Sequence, residues 1–295
     1  MKDGDHLIWS NHHLDLEDWR DALLEDHKAE YYSRFSDFVR ANIITTAPCW
    51  MSFLETMARN SKCNMQELLL IHYQRPEARD CKSYQEWIQS GRQVKRGAIG
   101  ITVRDKENPE KVRYLFDVAD TVGSVGSWRF SRKLEPELTK VIQEQYQLLE
   151  AENFPQMIEH AISCLIDDYW YAHEETILAG IMECYKGWDE YAAKMQFVDA
   201  AFYSTCYMIL ERCGYHPRSM YDPQDFGCVP SFYTPNAMTT LGEAIRTVGN
   251  QVLDVVEKTI AEHTVQRNNV IQAEGNQLPS AFLKPKTYKK EMEVR

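Results

Sequence analysis

Residues 72–118 constrain this chain more than any other stretch. They end one helix, open a second at Ser83, close it at Gly91, and pass through a basic turn bounded by Gly91 and Gly97 into two β-rich segments. Pro76 stops the first helix, because the residue before a proline is pushed out of the helical region. Ser83 caps the short helix 84–90, with Glu86 three residues on as its capping-box partner. Residues 99–105 (IGITVRD) and 112–118 (VRYLFDV) are rich in β-branched and aromatic residues, and a polar run containing Asn108-Pro109 separates them. That pattern predicts a β-hairpin.

The same stretch runs against the charge of the protein. It holds ten Lys and Arg against seven Asp and Glu, inside a chain of formal charge −11. Aromatic residues interleave with the cations. Such a mixture suits a single-strand nucleic-acid groove, where cations follow the phosphates and rings offer stacking faces. The opposite balance holds elsewhere: residues 1–30 carry nine acids against three bases, and residues 144–199 carry twelve against two. Bulk acidity argues against a nonspecific coat for duplex DNA and leaves room for a local site or for a basic protein partner.

The sequence predicts an α+β protein, a small N-terminal helix and β-hairpin domain followed by a mainly α-helical region. Its expected parts are an acidic lead-in at 1–48 with a helix over 15–41, an α+β domain at 49–121, a Gly/Ser linker at 122–134, a helical domain at 135–265 and a polar, Lys-rich tail at 266–295. Pro48 opens a helix whose Trp50, Phe53, Leu54 and Met57 follow helical spacing, and Asn64 with Glu67 boxes the start of the next. Helices are expected near 136–150, 155–184, 188–213 and 235–264, three of them with proline at the start, and 214–234 reads as a Pro/Gly-punctuated loop. With 44% hydrophobic residues the chain can bury a core, and no apolar run is long enough to cross a membrane. The acidic N-terminus does not fit a secretory signal, so a cytoplasmic location is expected. Eight irregularly spaced cysteines, none in a CxxC pair, read as reduced thiols, several of them (Cys164, Cys206, Cys213) on apolar helix faces.

Several pieces of the chain carry a family resemblance. They are Ile71-His72-Tyr73-Gln74-Arg75-Pro76, Trp87, the run Gly91 to Ile101, the return Arg113 to Thr121, and downstream segments around Thr205–Gly214 and Phe232–Gly249. In order and spacing they resemble the N-terminal domain of ArdC-type antirestriction proteins. They are more closely similar to the N-terminal region of large helicase-related proteins of conjugative elements in Gram-positive gut bacteria. The resemblance implies a mobile-element protein whose N-terminal part contacts single-stranded DNA.

ArdC-type proteins also have a metallopeptidase-like domain built on H-E-x-x-H, in which two histidines on one helix face hold zinc. The nearest string here, His173-Glu174-Glu175-Thr176-Ile177, lacks the second histidine. His160, Asp167, Asp168 and His173 fall on one predicted helix and read as part of a solvated acidic face. The turn from Gly91 to Gly97 lacks the GxxxxGK[ST] of a phosphate-binding loop. The expectation is a non-enzymatic protein with no cofactor and no metal. Its partner is single-stranded DNA, with Arg92, Lys95, Arg96, Arg104, Lys111 and Arg113 on phosphates and Tyr84, Trp87 and Tyr114 stacking on bases. The alternative is an inhibitor of a host defence complex, a nuclease or CRISPR effector, that covers a basic channel with the acidic helical region.

Overall fold

The structure, a computed structural model, describes residue 43 and residues 45–105, 111–124, 130–185 and 189–275, with side chains described up to residue 265. The helix expected over 15–41 and the tail beyond Gly275 lie outside the described residues. In chain order the elements are α1 (Ala47–Arg59), α2 (Met65–Gln74), β1 (Lys82–Ser83), α3 (Tyr84–Gln89), β2 (Gln93–Val94), β3 (Ile101–Arg104), β4 (Val112–Phe116) and β5 (Thr121–Val122). Four longer helices follow: α4 (Glu135–Tyr146), α5 (Phe154–Ile181), α6 (Glu190–Arg212) and α7 (Pro235–Gly275). The chain is α+β, with its strands confined to the N-terminal part. No helix among the described residues is long and apolar enough to cross a membrane.

The helix starts follow from local chemistry. Thr46 caps α1 by accepting from Cys49 N–H, with Pro48 in the first turn. Asn64 and Glu67 form the reciprocal capping box of α2, and Ser83 and Glu86 that of α3. Asn153 and Asp189 cap α5 and α6. Helix α7 continues to Gly275, beyond the end expected near 264 from the loss of apolar spacing. Helix α5 kinks at His173, whose φ of −130° is not helical, and the ring folds back so that Nδ1 lies 2.9 Å from Tyr169 O.

Three short strands fell below what alternation alone reveals. β1 pairs antiparallel with β4, giving a three-stranded sheet of order β1-β4-β3, and β2 pairs with β5 in a second, two-stranded sheet. β5 ends at Val122, the first residue of the run expected as linker. The outer edge of β3 is covered by a side chain: Gln74 Nε2 donates to Thr102 O at 2.8 Å, and Thr102 N–H donates to Gln74 Oε1 at 3.0 Å. The amide thereby substitutes for a neighbouring strand.

One cluster of buried side chains runs from Ile43 to Ile260. Helices α5, α6 and α7 pack on one another, and α1 packs on α6. Trp50 Nε1–H donates to Ser204 Oγ at 2.8 Å inside that contact. Helix crossings are close where glycine permits it. A Cβ on Gly180 of α5 would overlap Thr240 Oγ1 of α7, and one on Gly249 of α7 would overlap the terminal methyl of Met208. Of the cysteines expected on apolar faces, Cys206 and Cys213 are buried, whereas Cys164 is exposed on α5.

Two stability measurements follow. Gly180→Ala meets a β-branched neighbour whose Cβ also lies close, at 3.1 Å, so it is expected to destabilise by about 1–3 kcal/mol in urea denaturation. Gly249→Ala, facing the mobile end of a methionine, should cost less. The second concerns His72, whose pKa burial drives down to about 4, aided by Arg59 and opposed by Glu55. Its Nδ1 sits 2.8 Å from Thr56 Oγ1 and its ring lies edge-on to Phe53. The folded protein resists protonating this ring, so its contribution is complete above the ordinary histidine pKa and is lost as pH falls through about 4. Wild type should lose on the order of 3 kcal/mol more than His72→Gln over that window in a series of denaturation curves.

Candidate nucleic-acid interface

Antiparallel register decides which side chains share a face of the sheet. Ile101 pairs with Leu115, Thr102 with Tyr114, Val103 with Arg113, and Arg104 with Val112. Directly paired residues point the same way, and successive residues alternate. One face therefore carries Ile101, Val103, Leu115 and Arg113. The first three are buried, and the face lies against α2, where Arg113 is ion-paired with Glu67. The other face carries Tyr114, Phe116, Arg104, Val112 and, from β1, Lys82 opposite Phe116. Tyr114 is 51% exposed, and Phe116, Arg104 and Lys82 are partly exposed. Gly100 leaves room for these rings: a Cβ there would stand 2.8 Å from Tyr114 Cβ and 3.2 Å from the Phe116 ring.

The basic turn sits beside this sheet. Gly91 and Gly97 both have positive φ, +73° and +82°, which a side chain would resist. Between them, β2 pairs with β5, and Lys95 N–H donates to Asp120 O at 2.8 Å. Arg96 is exposed at the turn, and Ile99 beside it is also exposed. Lys95 is exposed too, with its ammonium 2.7 Å from Ala119 O. Lys111 is exposed at the start of β4, and Tyr84 at the start of α3.

Three of the expected DNA contacts take different places. Arg92 is not a surface cation: it is only 7% exposed. Its guanidinium donates to Thr121 Oγ1 at 2.7 Å, to Gly123 O at 2.9 Å and to Ser124 O at 2.9 Å. It ties Thr121, Gly123 and Ser124, at the start of the Gly/Ser run, onto β2. Trp87 is only 1% exposed and cannot stack on a base; its Nε1–H donates to Phe116 O at 2.8 Å. Lys82 Nζ and Arg92 Cζ lie 4.5 and 5.7 Å from the Trp87 ring centroid. Arg113 faces the core side and is engaged by Glu67. Conversely, Phe116 and Lys82, part of the basic-aromatic stretch but not among the expected DNA contacts, join the outer face. The alternation of Arg113, Tyr114, Leu115 and Phe116 held the signal for Phe116.

Arg75, at the end of α2, also serves the scaffold. It pairs with Asp120 at 2.5 Å and reaches Asp117 at 3.6 Å and Glu77 at 3.4 Å, and the Asp120 carboxylate holds its pKa above the ordinary value.

The residues weighed for metal chemistry are spread along α5. Asp167 and Asp168 are exposed, and His173 stacks on Tyr169 with ring centroids 4.3 Å apart. Among the described residues no three His, Cys, Asp or Glu side chains are grouped as a metal ion would require.

The division of labour between Arg92 and Arg96 is measurable. Arg92→Ala should destabilise the protein by about 2–3 kcal/mol, the cost of losing a charged donor to buried acceptors. Arg96→Ala should stay within about 0.5 kcal/mol of wild type in the same denaturation experiment. Equal effects would refute this assignment. Comparison with models of protein families, with curated proteins and with solved structures finds no match to this chain.

Proposed function

We propose that this chain is a non-enzymatic single-strand DNA-binding protein of the anti-defence kind carried by mobile elements or phage, acting in the bacterial cytoplasm. The observation that carries the reading is the register of β3 and β4. It sets Tyr114 and Phe116 on the same outer face as Arg104 and Lys82, while the apolar residues of the same strands turn to the core. A strand lying on that face would stack bases on Tyr114. Its phosphates would run toward Arg104, Lys111 and the Arg96 turn. Unpaired bases are needed because a duplex hides its ring faces. Tyr84 extends the aromatic surface, and Arg92, Trp87 and Arg113 support the platform from beneath.

A second reading is favoured by a different surface. On α5, Tyr171 (69% exposed) stands within a turn of Asp167, Asp168, Glu174 and Glu175, all exposed, and already holds a cation, Lys194 Nζ of α6, 4.1 Å from its ring centroid. An exposed ring within a negative field suits a basic protein surface, as an inhibitor of a host defence complex would need.

Fluorescence anisotropy with a labelled oligonucleotide separates the two. Under the first reading, single strands bind better than the matching duplex, and affinity falls with salt. Tyr114→Ala should weaken binding by roughly 1–3 kcal/mol. Arg96→Ala and Lys111→Ala should each lower the slope of log affinity against log salt by about 0.7. Salt-insensitive, equal binding of both DNA forms, or no effect of Tyr114→Ala, would overturn it. Charge reversal of Asp167, Asp168, Glu174 and Glu175 should leave DNA binding intact. If that reversal alone abolishes protection of incoming DNA in cells, the second reading holds.

A further inference from the structure

Two thiols stand together where α1 meets the sheet. Cys63 lies just past the end of α1 and Cys81 just before β1, and the Cys63 thiol donates to Cys81 O with sulfur and oxygen 3.7 Å apart. One residue fixes both backbones. Asn60 is buried; its carbonyl accepts from Cys63 N–H at 2.9 Å, and its Oδ1 accepts from Cys81 N–H at 3.0 Å. Its Nδ2 donates to Thr56 O and Ala78 O. Asp80, held at φ +47°, donates its N–H to Arg59 O at 3.1 Å and fastens the approach to Cys81 from the other side. The two cysteines are thus neighbours before any bond joins them.

The remaining cysteines are placed differently. Cys206 lies on α6 and Cys213 at its C-cap, seven residues on and roughly 10 Å away along the axis. Cys184 contacts Thr234 and Cys228 contacts Asp199, so their thiols are directed to different partners. Cys164 is exposed on α5. Access also sets Cys63 and Cys81 apart from the other buried thiols. Each keeps 6% exposure, against 0% for Cys206 and 1% for Cys213, and both line a cleft of about 350 Å³ that opens to solvent. A small oxidant can reach them there.

We propose that Cys63 and Cys81 are a redox modification site, closing into a reversible disulfide when the protein meets a hydroperoxide. The Cys63 sulfur attacks one peroxide oxygen; the O–O bond breaks, and the other oxygen leaves as water with the Cys63 proton. The Cys81 sulfur then attacks the sulfenic acid; the S–S bond forms, the S–O bond breaks, and the second oxygen leaves as water with the Cys81 proton. Two electrons pass from the sulfurs to the peroxide. Closing the bond moves the Cys63 sulfur from the carbonyl of Cys81 to the sulfur of the same residue. Burial, the Cys63 sulfur, Asp117 and Asp80 hold the Cys81 thiol well above its ordinary pKa, with Arg75 opposing. Cys81 therefore keeps its proton and serves as the second, resolving thiol. Thiolates are the reactive form, so the bond forms slowly at neutral pH and faster in alkali. It would tie the end of α1 to the chain entering β1. The site does not rest on the DNA-binding reading.

Peptide mapping of the full chain tests this, after treatment with hydrogen peroxide at pH 7 and pH 9, blocking with N-ethylmaleimide and digestion without reduction. The main cross-link should join Cys63 to Cys81, disappear with dithiothreitol, and form about tenfold faster or more at the higher pH. Oxidised protein should melt on the order of 5–10 °C above reduced protein, because the bond closes a loop in the unfolded chain. Cys63→Ala, checked by melting in dithiothreitol, should abolish both the link and the gain. If that variant does not fold, Cys81→Ala takes its place, and the wild-type map decides without any substitution. Oxidation of Cys164 with no Cys63–Cys81 link, a link that appears only after unfolding in urea, or a different main pairing would overturn the assignment.

Discussion

Glu67 places a carboxylate almost entirely out of water, and much of the N-terminal architecture follows from how that group is satisfied. One oxygen accepts from the Asn64 N–H and closes the capping box that starts α2; the other receives Arg113 from β4. A buried carboxylate without partners would be costly, and breaking such a pair by removing one member typically costs about 3–5 kcal/mol. The start of a helix and the inner face of the sheet are therefore bound through one side chain. With Gln74 holding the edge of β3 from the far end of the same helix, α2 grips the sheet at both ends.

That grip sorts the cations of the basic stretch into two kinds. Arg113 is drawn to the core side, and Arg92 is drawn inward by the carbonyls after β5 and by the Trp87 ring. Arg96 and Lys111 stay in solvent, and Arg104 keeps partial exposure on the outer face. Clustered positive charge in a sequence thus becomes a thinner band of accessible charge. The rings divide in the same way, with Trp87 inside and Tyr114 outside. Affinity for a single strand on this platform would rest on stacking and a few phosphate contacts, which predicts a moderate salt slope.

The acidic helices contribute in another sense. Asp167, Asp168, Glu174 and Glu175 give α5 a strongly negative exposed face, while the basic turn lies on the small sheets of the N-terminal part. Unlike charges held on different elements orient a charged partner before contact. This field is compatible with either proposed partner, and the two sets of substitutions are meant to separate them.

Much of the fold was legible in the chain itself. Prolines and Ser, Thr, Asn and Asp caps mark the starts of α1, α2, α3, α5 and α6 because they satisfy or omit local N–H groups, and the glycines at 91 and 97 mark a turn because positive φ resists a side chain. The alternation of β4 shows which residues oppose one another. None of this requires knowledge of distant contacts. What only tertiary structure decided is the fate of each side chain. β2 and β5 are two-residue strands whose pairing joins Gln93 to Val122, too short to carry a pattern, yet that pairing brings Thr121 and the carbonyls of Gly123 and Ser124 to Arg92 and removes it from the surface. Trp87 is buried because Phe116 O meets its indole across the sheet. Charge and aromaticity are properties of residues, whereas availability to a ligand depends on which partners the fold brings within hydrogen-bonding reach.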